Sequence, residues 1–224
     1  MEVNTKVNLS GLSLDNPVIP ASGTYGFGKE YVDFYDINIL GSISIKGTTV
    51  QRRKGNPQPR IAECYSGLIN SVGLENPGMD NVIQKELKDL EKIYRKPVIA
   101  NISGFSVEEY VTLAREMDQV DNVGIIEVNI SCPNVDHGGL AFGTNADNVR
   151  ELTKKIKEVT TKPVYMKLSP NVTDIKEIAR AAEEGGADGI SLINTLMGMR
   201  IDINRRKPVI ANKKGGFSGP AIFP

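Results

Sequence analysis

The sequence predicts an α/β fold of the TIM (β/α)8 barrel type, incomplete, with about six βα units in its 224 residues. Six short apolar runs typical of strands alternate with amphipathic stretches typical of helices, which is the pattern of parallel βα units. Each run also leads into a polar residue, at the end of the strand where a barrel assembles its active site. Residues 1–224 are therefore expected to form a single domain.

The strand-like runs are short and rich in valine and isoleucine. They cover residues 17–21, 41–45, 97–100, 125–128, 163–166 and 189–193. Proline opens the first, third and fifth, which suits the first residue of a strand because no ladder donor is needed there.

The helices are marked by capping residues and by apolar side chains at helical spacing. Ser106 and Glu109 form a capping box before one helix. Thr144 and Thr173 are the expected N-caps of the next two, and the glycines at 185–186 are expected to end the last. A further apolar stripe predicts a helix within residues 82–93.

A polar side chain follows each of the six runs. Because the carboxyl ends of barrel strands converge on one face, these side chains predict a single polar-lined cup. For any one of them alone, the start of a loop is the simpler interpretation, but six in phase favour a site. They are Ser22, Lys46, Asn101, Asn129, Lys167 and Asn194.

Six strands do not close an eight-stranded barrel. At roughly 30 residues per βα unit, the last two units are missing and are expected beyond Pro224. The alternative is an open six-stranded doubly wound sheet, which would place the site in a crevice between strands.

Two segments depart from the βα pattern. Residues 48–78 form a long connection with strand-like pieces at 60–63 and 68–72, and long connections on the active face of a barrel are often functional. The hexapeptide at 96–101 recurs letter for letter at 207–212. The second copy is expected to form one arm of a loop hairpin with residues 199–203.

Composition excludes several functions. The 27 basic residues balance 27 acidic ones, so no overall field draws the chain to nucleic acid or an anionic membrane. No apolar run could span a bilayer, and the amino terminus does not resemble a secretory signal. The two cysteines lack metal-ligand spacing, which predicts no metal site and favours reduced thiols in the cytoplasm.

Cys132 lies just past the fourth run, at the mouth of the predicted cup. The glycine-rich residues 136–143 follow it and are able to act as a lid. This position favours a reactive thiol, whereas Cys64 is interpreted as a small core hydrophobe. A Ser-His-Asp mechanism is not supported, because His137 is the sole histidine and no nucleophile elbow is present.

Three asparagines suit the recognition of a planar ring. The carboxamides of Asn70, Asn129 and Asn194 each offer one acceptor and two donors, which match the imide edge of a pyrimidine. The strand-end lysines could face a substrate carboxylate or a reduced flavin. Each of these residues could also simply cap a strand. Residues 215–220 are a weak candidate for a backbone cradle close to a ligand.

With these residues in place, the sequence resembles the class 1 dihydroorotate dehydrogenases along its whole length. The most specific match is Asn-Ile-Ser-Cys-Pro-Asn at 129–134 with Lys-Leu-Ser-Pro at 167–170. Residues 194–202 are similar to the class 1B branch, and the fumarate-using class 1A branch differs there. The other matching stretches are 20–24, 44–48, 70–74 and 217–221.

The resemblance implies flavin-dependent oxidation of dihydroorotate to orotate in de novo pyrimidine biosynthesis. Cys132 would be the base that removes the C5 proton as C6 gives a hydride to FMN. The residues implied to hold FMN are Ser22, Lys46, Gly47, Asn101, Asn129, Lys167, Ile193 and Gly219. Those implied to hold dihydroorotate or orotate are Lys46, Asn70, Ser71, Val72, Gly73, Leu74, Asn129, Asn194 and Thr195.

The class 1B likeness also implies a partner. This is an iron-sulfur subunit with FAD and a 2Fe-2S cluster, which passes electrons to NAD, around a homodimer within a heterotetramer. Three alternatives stay open: a class 1A homodimer that reduces fumarate, a relative of dihydropyrimidine dehydrogenase domains, and a non-catalytic fragment that binds its partner without FMN.

Overall fold

The computed structural model of the chain describes residues 3–131 and 142–222. Its strands are β1 (Val7–Leu9), β2 (Leu12–Leu14), β3 (Ile61–Cys64), β4 (Gly67–Asn70), β5 (Val98–Ile102), β6 (Val123–Asn129), β7 (Val164–Lys167), β8 (Gly189–Ser191), β9 (Leu196–Gly198), β10 (Ile201–Asp202), β11 (Lys207–Pro208) and β12 (Gly215–Ser218). Its helices are α1 (Ser22–Tyr25), α2 (Met79–Asn81), α3 (Leu87–Glu91), α4 (Val107–Asp118), α5 (Ala146–Lys157) and α6 (Ile175–Glu184). A π-helical turn (Val82–Glu86) joins α2 to α3, and 3-10 turns occupy Lys29–Tyr31 and Ile37–Ile39.

A parallel sheet forms the centre of the molecule. β5, β6, β7 and β8 lie side by side in chain order. Two extended segments continue the sheet beyond β5. Ser44 forms a parallel bridge with Ile99, and the Gly41 amide donates to the Val18 carbonyl at 3.0 Å. The six predicted runs are therefore neighbours in the order of the sequence, which confirms the α/β class and its parallel sheet.

This succession differs from the strand order of the doubly wound alternative. A doubly wound sheet reverses its strand order at a switch point, whereas the described strands follow one another in a single direction. Over residues 3–131 and 142–222, β8 pairs only with β7, so the described part of the sheet is open.

The helices cover one face of the sheet. α4 packs on β5 and β6 and presents Tyr110, Leu113 and Met117 to the core at spacings of three and four residues, as an amphipathic helix requires. α5 packs between α4 and α6. Among the described residues, no helix has both the length and the apolar content needed to cross a membrane.

The predicted caps are partly right. The Ser106 hydroxyl accepts a hydrogen bond from the Glu109 amide at 3.3 Å, as expected. The Thr144 and Thr173 predictions are wrong by one residue, because Asn145 and Asp174 accept the capping bonds from their helices. Asn and Asp at these positions are extended and offer an oxygen at the right distance, which makes them at least as good as threonine.

The hairpin of β1 and β2 covers the amino end of the sheet. The Ser10 hydroxyl lies 2.8 Å from the Tyr165 hydroxyl of β7 and donates to the Asp188 carbonyl at 3.2 Å. A methyl group at Gly124 would touch the Leu12 side chain, so the hairpin also packs closely on β6. The amino end is therefore occupied, and the carboxyl end is left for a site.

A second, antiparallel sheet is built from two distant connections. Its order is β3-β4-β12-β9, and it joins the 48–78 connection to residues 196–218. The strand-like pieces predicted at 60–63 and 68–72 are confirmed as β3 and β4. The expected hairpin near 199–212 is confirmed by the antiparallel pairing of β10 with β11.

The repeated hexapeptide takes two different structures. In its first copy, the last four residues (98–101) lie in β5, every residue of which is buried. In the second copy only Lys207 and Pro208 are in a strand, and a turn follows. Tertiary context thus decides the structure of an identical local sequence.

Candidate active site

A buried network, called the charged network below, consists of Ser44, Asn101, Glu127 and Lys167. The Glu127 carboxylate accepts hydrogen bonds from the Asn101 amide (2.5 Å) and the Ser44 hydroxyl (3.2 Å). The Lys167 ammonium lies 3.8 Å from the same carboxylate oxygen, and both side chains are largely buried. Burying a carboxylate is costly unless it is hydrogen-bonded and paired, and these three neighbours meet that requirement.

The position of Glu127 follows from strand periodicity. Successive side chains of a strand point to opposite faces, so Glu127 and Asn129 share one face of β6. Val128 between them belongs to the core under the helices, which places both polar residues on the other face. Asn101 is the register partner of Glu127, and Lys167 is that of Asn129.

A second network, called the neutral network below, lies at the ends of β6, β7 and β8. It consists of Asn129, Ser131, Asn171, Asn194 and Thr195. The Asn129 side-chain oxygen accepts bonds from the Ser131 hydroxyl (2.9 Å) and the Asn194 amide (3.2 Å). The Asn194 amide also donates to the Ser131 hydroxyl (2.8 Å), and the Asn171 amide donates to the Thr195 carbonyl (3.1 Å).

The loop at 70–74 folds over the first half of this face. At Gly47 a Cβ would lie 2.7 Å from the Asn101 side-chain oxygen and 3.6 Å from the Leu74 side chain, so these three residues are in close contact. Gly73 and Leu74 have φ of +77° and +56°. This region is costly for a leucine, so the surrounding structure must hold the loop in place.

Residues from the 48–78 connection hold the loop. The Asn56 side-chain amide donates to the Ser71 carbonyl at 3.0 Å, and the Asn56 backbone amide donates to the Val72 carbonyl at 2.9 Å. The Arg53 guanidinium lies 4.6 Å from the centre of the Phe105 ring, and its Nε donates to the Gly73 carbonyl at 3.4 Å.

Three buried polar atoms on this side of the molecule have no hydrogen-bond partner in the described chain. They are the side-chain oxygens of Ser71, Asn101 and Ser103. An unsatisfied buried group costs about 1–3 kcal/mol, and such groups in a native structure call for an explanation such as a bound ligand or water.

A cavity of about 940 Å³ adjoins the neutral network. Its size is within the range of small-molecule sites, which is roughly 300–1,000 Å³. The lining is mostly apolar and includes Ile193, Asn194, Thr195, Phe217 and Gly219. The weak cradle predicted at 215–220 therefore contributes to this cavity.

The structure brings most of the predicted site residues together. Asn101 and Lys167 meet in the charged network, Asn129, Asn194 and Thr195 in the neutral one, and Gly47 contacts the 70–74 loop. Lys46 and Ser22 are on neighbouring segments, with the Lys46 amide bonded to the Gly26 carbonyl at 2.8 Å and Ser22 buried in α1. Asn70, at the end of β4, donates from its side chain to the Gly216 carbonyl at 3.4 Å.

Some predicted site residues lie outside the part of the chain that the structure describes, and some residues of the two networks were not predicted from the sequence. Cys132 and most of the glycine-rich run at 136–143 lie outside the described residues. The missed residues are Ser44, Glu127, Ser131 and Asn171. Glu127 had one usable signal, since it stands two residues before Asn129 within an otherwise apolar run. In the described ranges, no group of three or more His, Cys, Asp or Glu side chains could hold a metal ion.

The family model and the relatives that the chain matches all point to one family. Residues 4–224 match the family model described as dihydroorotate dehydrogenase. The chain is 57% identical over 219 residues to the "Dihydroorotate dehydrogenase B (NAD(+)), catalytic subunit" of Bacillus cytotoxicus, covering 98% of this chain and 71% of that protein. Proteins of the same name from Enterococcus faecalis and Halalkalibacterium halodurans are each 57% identical over 218 residues, covering 97% of this chain and 70% and 71% of those proteins.

Proposed function

The chain belongs to the dihydroorotate dehydrogenase family, and from this premise we propose that it oxidises dihydroorotate to orotate in de novo pyrimidine biosynthesis. We propose NAD as the final electron acceptor, because the relatives named above are NAD-dependent catalytic subunits. The likeness of residues 194–202 to class 1B supports this proposal over the fumarate-reducing alternative.

The sheet is proposed to correspond to six consecutive strands of an eight-stranded barrel, within a single domain over 1–224. The succession of neighbours in chain order supports this arrangement. So does the distribution of residues, with a covering hairpin at the amino end of the strands and the polar networks at the carboxyl end.

FMN is the proposed cofactor, and the residues present fit it. The unpartnered oxygen of Asn101 offers an acceptor, and the absence of a side chain at Gly47 allows close approach to the backbone. When bound, FMN supplies the two-electron acceptor for the substrate. The residues proposed to hold it are Ser22, Lys46, Gly47, Asn101, Asn129, Lys167, Ile193 and Gly219.

The neutral network is proposed to bind the substrate ring. Asn129 and Asn194 are bonded to each other, so the orientation of each carboxamide is set before the imide edge arrives. Lys46 is proposed to pair with the substrate carboxylate. The full proposed set is Lys46, Asn70, Ser71, Val72, Gly73, Leu74, Asn129, Asn194 and Thr195.

Cys132 is proposed as the general base for the C5 proton. In the sequence it directly follows Ser131, which is a buried member of the neutral network. A free thiol has a pKa of about 8.5, so the rate of flavin reduction should rise between about pH 6 and about pH 9. A flat profile over that range would count against this base.

The name "catalytic subunit" in the relatives implies that a partner subunit exists for them. We propose that this chain also works with a partner, an iron-sulfur subunit carrying FAD and a 2Fe-2S cluster. A homodimer within a heterotetramer is the proposed assembly.

One observation carries the proposal: Asn129 and Asn194, 65 residues apart, meet at 3.2 Å at the strand ends, and Asn129 is the register partner of Lys167 on the next strand. The test is to load the chain with FMN, add dihydroorotate without oxygen, and follow flavin bleaching and orotate formation. NAD is then compared with fumarate as acceptor, with and without the partner subunit. Bleaching with turnover on NAD is expected, and a colourless protein that takes up no FMN would contradict the proposal.

A further inference from the structure

Two members of the charged network, Ser44 and Glu127, have no role in the proposed function. Glu127 is neither a proposed FMN residue nor a proposed substrate residue, yet it holds two of the former, Asn101 at 2.5 Å and Lys167 at 3.8 Å. We propose that Glu127 is a positioning residue that fixes the hydrogen-bond polarity and the net charge offered to the cofactor. This inference rests on the proposed FMN site.

Glu127 sets the orientation of the Asn101 side-chain amide. A carboxylate accepts hydrogen bonds and does not donate them, so the side-chain nitrogen of Asn101 must face Glu127. The side-chain oxygen then faces away, against Gly47, where it has no partner within the described chain. Glu127 therefore ensures that the Asn101 side chain places its oxygen, an acceptor, beside Gly47, and not its nitrogen, a donor. A glutamine at 127 would remove this selection, because its own amide could donate to the Asn101 oxygen.

Glu127 also balances the charge of Lys167. Its ammonium and the Glu127 carboxylate are both largely buried, where charges interact more strongly than in water. The pair together adds no net charge to the site. If the Glu127 carboxylate were removed, the Lys167 ammonium would contribute an unbalanced positive charge to the proposed FMN site. Because reduced FMN is more negative than oxidised FMN, the reduced form would then be stabilised. Glu127 therefore holds the reduction potential of the cofactor down.

A purely structural role predicts a different result. Glu127 links the segment of Ser44, β5, β6 and β7, so its loss should also lower thermal stability. That loss would weaken binding of oxidised and reduced FMN equally, because it does not depend on the charge of the ligand. The midpoint potential reports the ratio of the affinities for oxidised and reduced FMN. It therefore distinguishes a positioning role of Glu127 from a purely structural one.

The test compares wild type with Glu127→Gln and with Glu127→Asp, the control that keeps the charge. For Glu127→Gln we expect reduced FMN to gain at least tenfold in affinity relative to oxidised FMN, which is a rise of about 30 mV for a two-electron couple. Oxidised FMN, titrated by fluorescence quenching, should change less than about threefold, which is under 1 kcal/mol. Glu127→Asp should shift the potential less than Glu127→Gln does.

Each outcome is decisive. A folded, FMN-loaded Glu127→Gln variant whose midpoint potential rises by less than about 30 mV, the shift that corresponds to a tenfold gain, overturns this inference alone. A negative shift does the same. If wild type takes up no FMN, the cofactor proposal falls, and this inference falls with it. If Glu127→Gln does not fold, the double variant Glu127→Gln/Lys167→Gln is compared with Lys167→Gln. The double variant should have the higher potential, and an equal or lower one contradicts the inference.

Discussion

The charged and neutral networks are two residues apart on β6, yet they are held in different ways. Glu127 anchors the first network as a single buried carboxylate that receives two hydrogen bonds and an ammonium group. Asn129 anchors the second with amides and hydroxyls alone. The first network should therefore be disrupted by a substitution that removes a charge. The second should be disrupted by a substitution that removes an oriented amide or hydroxyl.

This difference corresponds to two proposed roles. Asn101 and Lys167 of the charged network are proposed to hold FMN, and Asn194 and Thr195 of the neutral network are proposed to hold dihydroorotate. Asn129 serves both ligands in the proposal. The division predicts that variants in the two networks will affect different binding constants, and the four predictions below test the roles of the site residues.

Asn129→Ala should have the largest effect, since it removes the residue shared by both roles. The change leaves the Asn194 amide and the Ser131 hydroxyl without their acceptor. We expect kcat/KM for dihydroorotate to fall by about 10²–10³-fold, the usual cost of losing one preorganised polar contact. Steady-state orotate formation measures this, and a loss below about tenfold would mean that Asn129 does not contribute to the substrate site as proposed.

Lys167→Met should come next, and its effect should fall on stability and on the cofactor. The variant leaves Glu127 buried without its cation, which costs about 3 kcal/mol of unfolding free energy. The loss of a charged donor should also weaken FMN binding by roughly 10–100-fold. Denaturant unfolding and FMN fluorescence measure the two effects. A stable variant with normal FMN affinity would remove the charged network from the cofactor site.

The repeated hexapeptide provides a matched pair of variants for the third prediction. Asn101→Ala removes a donor to Glu127 and should weaken FMN binding by about tenfold. Asn212→Ala changes the same local sequence at an exposed turn and should leave FMN affinity unchanged. FMN titration of both proteins provides the comparison, and equal effects would show that the role of Asn101 is not specific to its place in the sheet.

Arg53→Met should have the smallest effect. The variant loses the contact with the Phe105 ring and the bond to the Gly73 carbonyl, which together help to hold the 70–74 loop. We expect KM for dihydroorotate to rise by about five- to tenfold with little change in kcat, since a cation–π contact contributes about 0.5–2 kcal/mol. Hydrogen exchange of residues 70–76 should be faster. A fall in kcat at unchanged KM would contradict this role.

The predictable part of the site is the part encoded by local pattern. Asn101, Asn129, Lys167 and Asn194 each end an apolar run, and parallel strands bring such ends to one edge. Their convergence therefore follows from their place at the ends of runs that form neighbouring parallel strands. The helix caps were misplaced by one residue because Thr144 and Thr173 stand beside equally good capping residues, and only backbone geometry decides between them.

The remainder depends on long-range contacts. Glu127 is within a strand, and its burial is tolerated only because Ser44, Asn101 and Lys167 come from three other segments. The antiparallel sheet joins β4 to β12, which are far apart in sequence, so no local pattern could pair them. The same limit explains why one hexapeptide contributes to the buried β5 in its first copy and to a two-residue strand and a turn in its second.

The central claim is that the charged network holds the cofactor and the neutral network holds the substrate. Its most direct test is to measure oxidised FMN affinity and dihydroorotate affinity in Lys167→Met and Asn194→Ala side by side. We predict that Lys167→Met weakens FMN by at least about tenfold and dihydroorotate by less than about threefold, and that Asn194→Ala shows the reverse. If both variants weakened the two ligands to the same extent, the proposed division between the networks would be wrong.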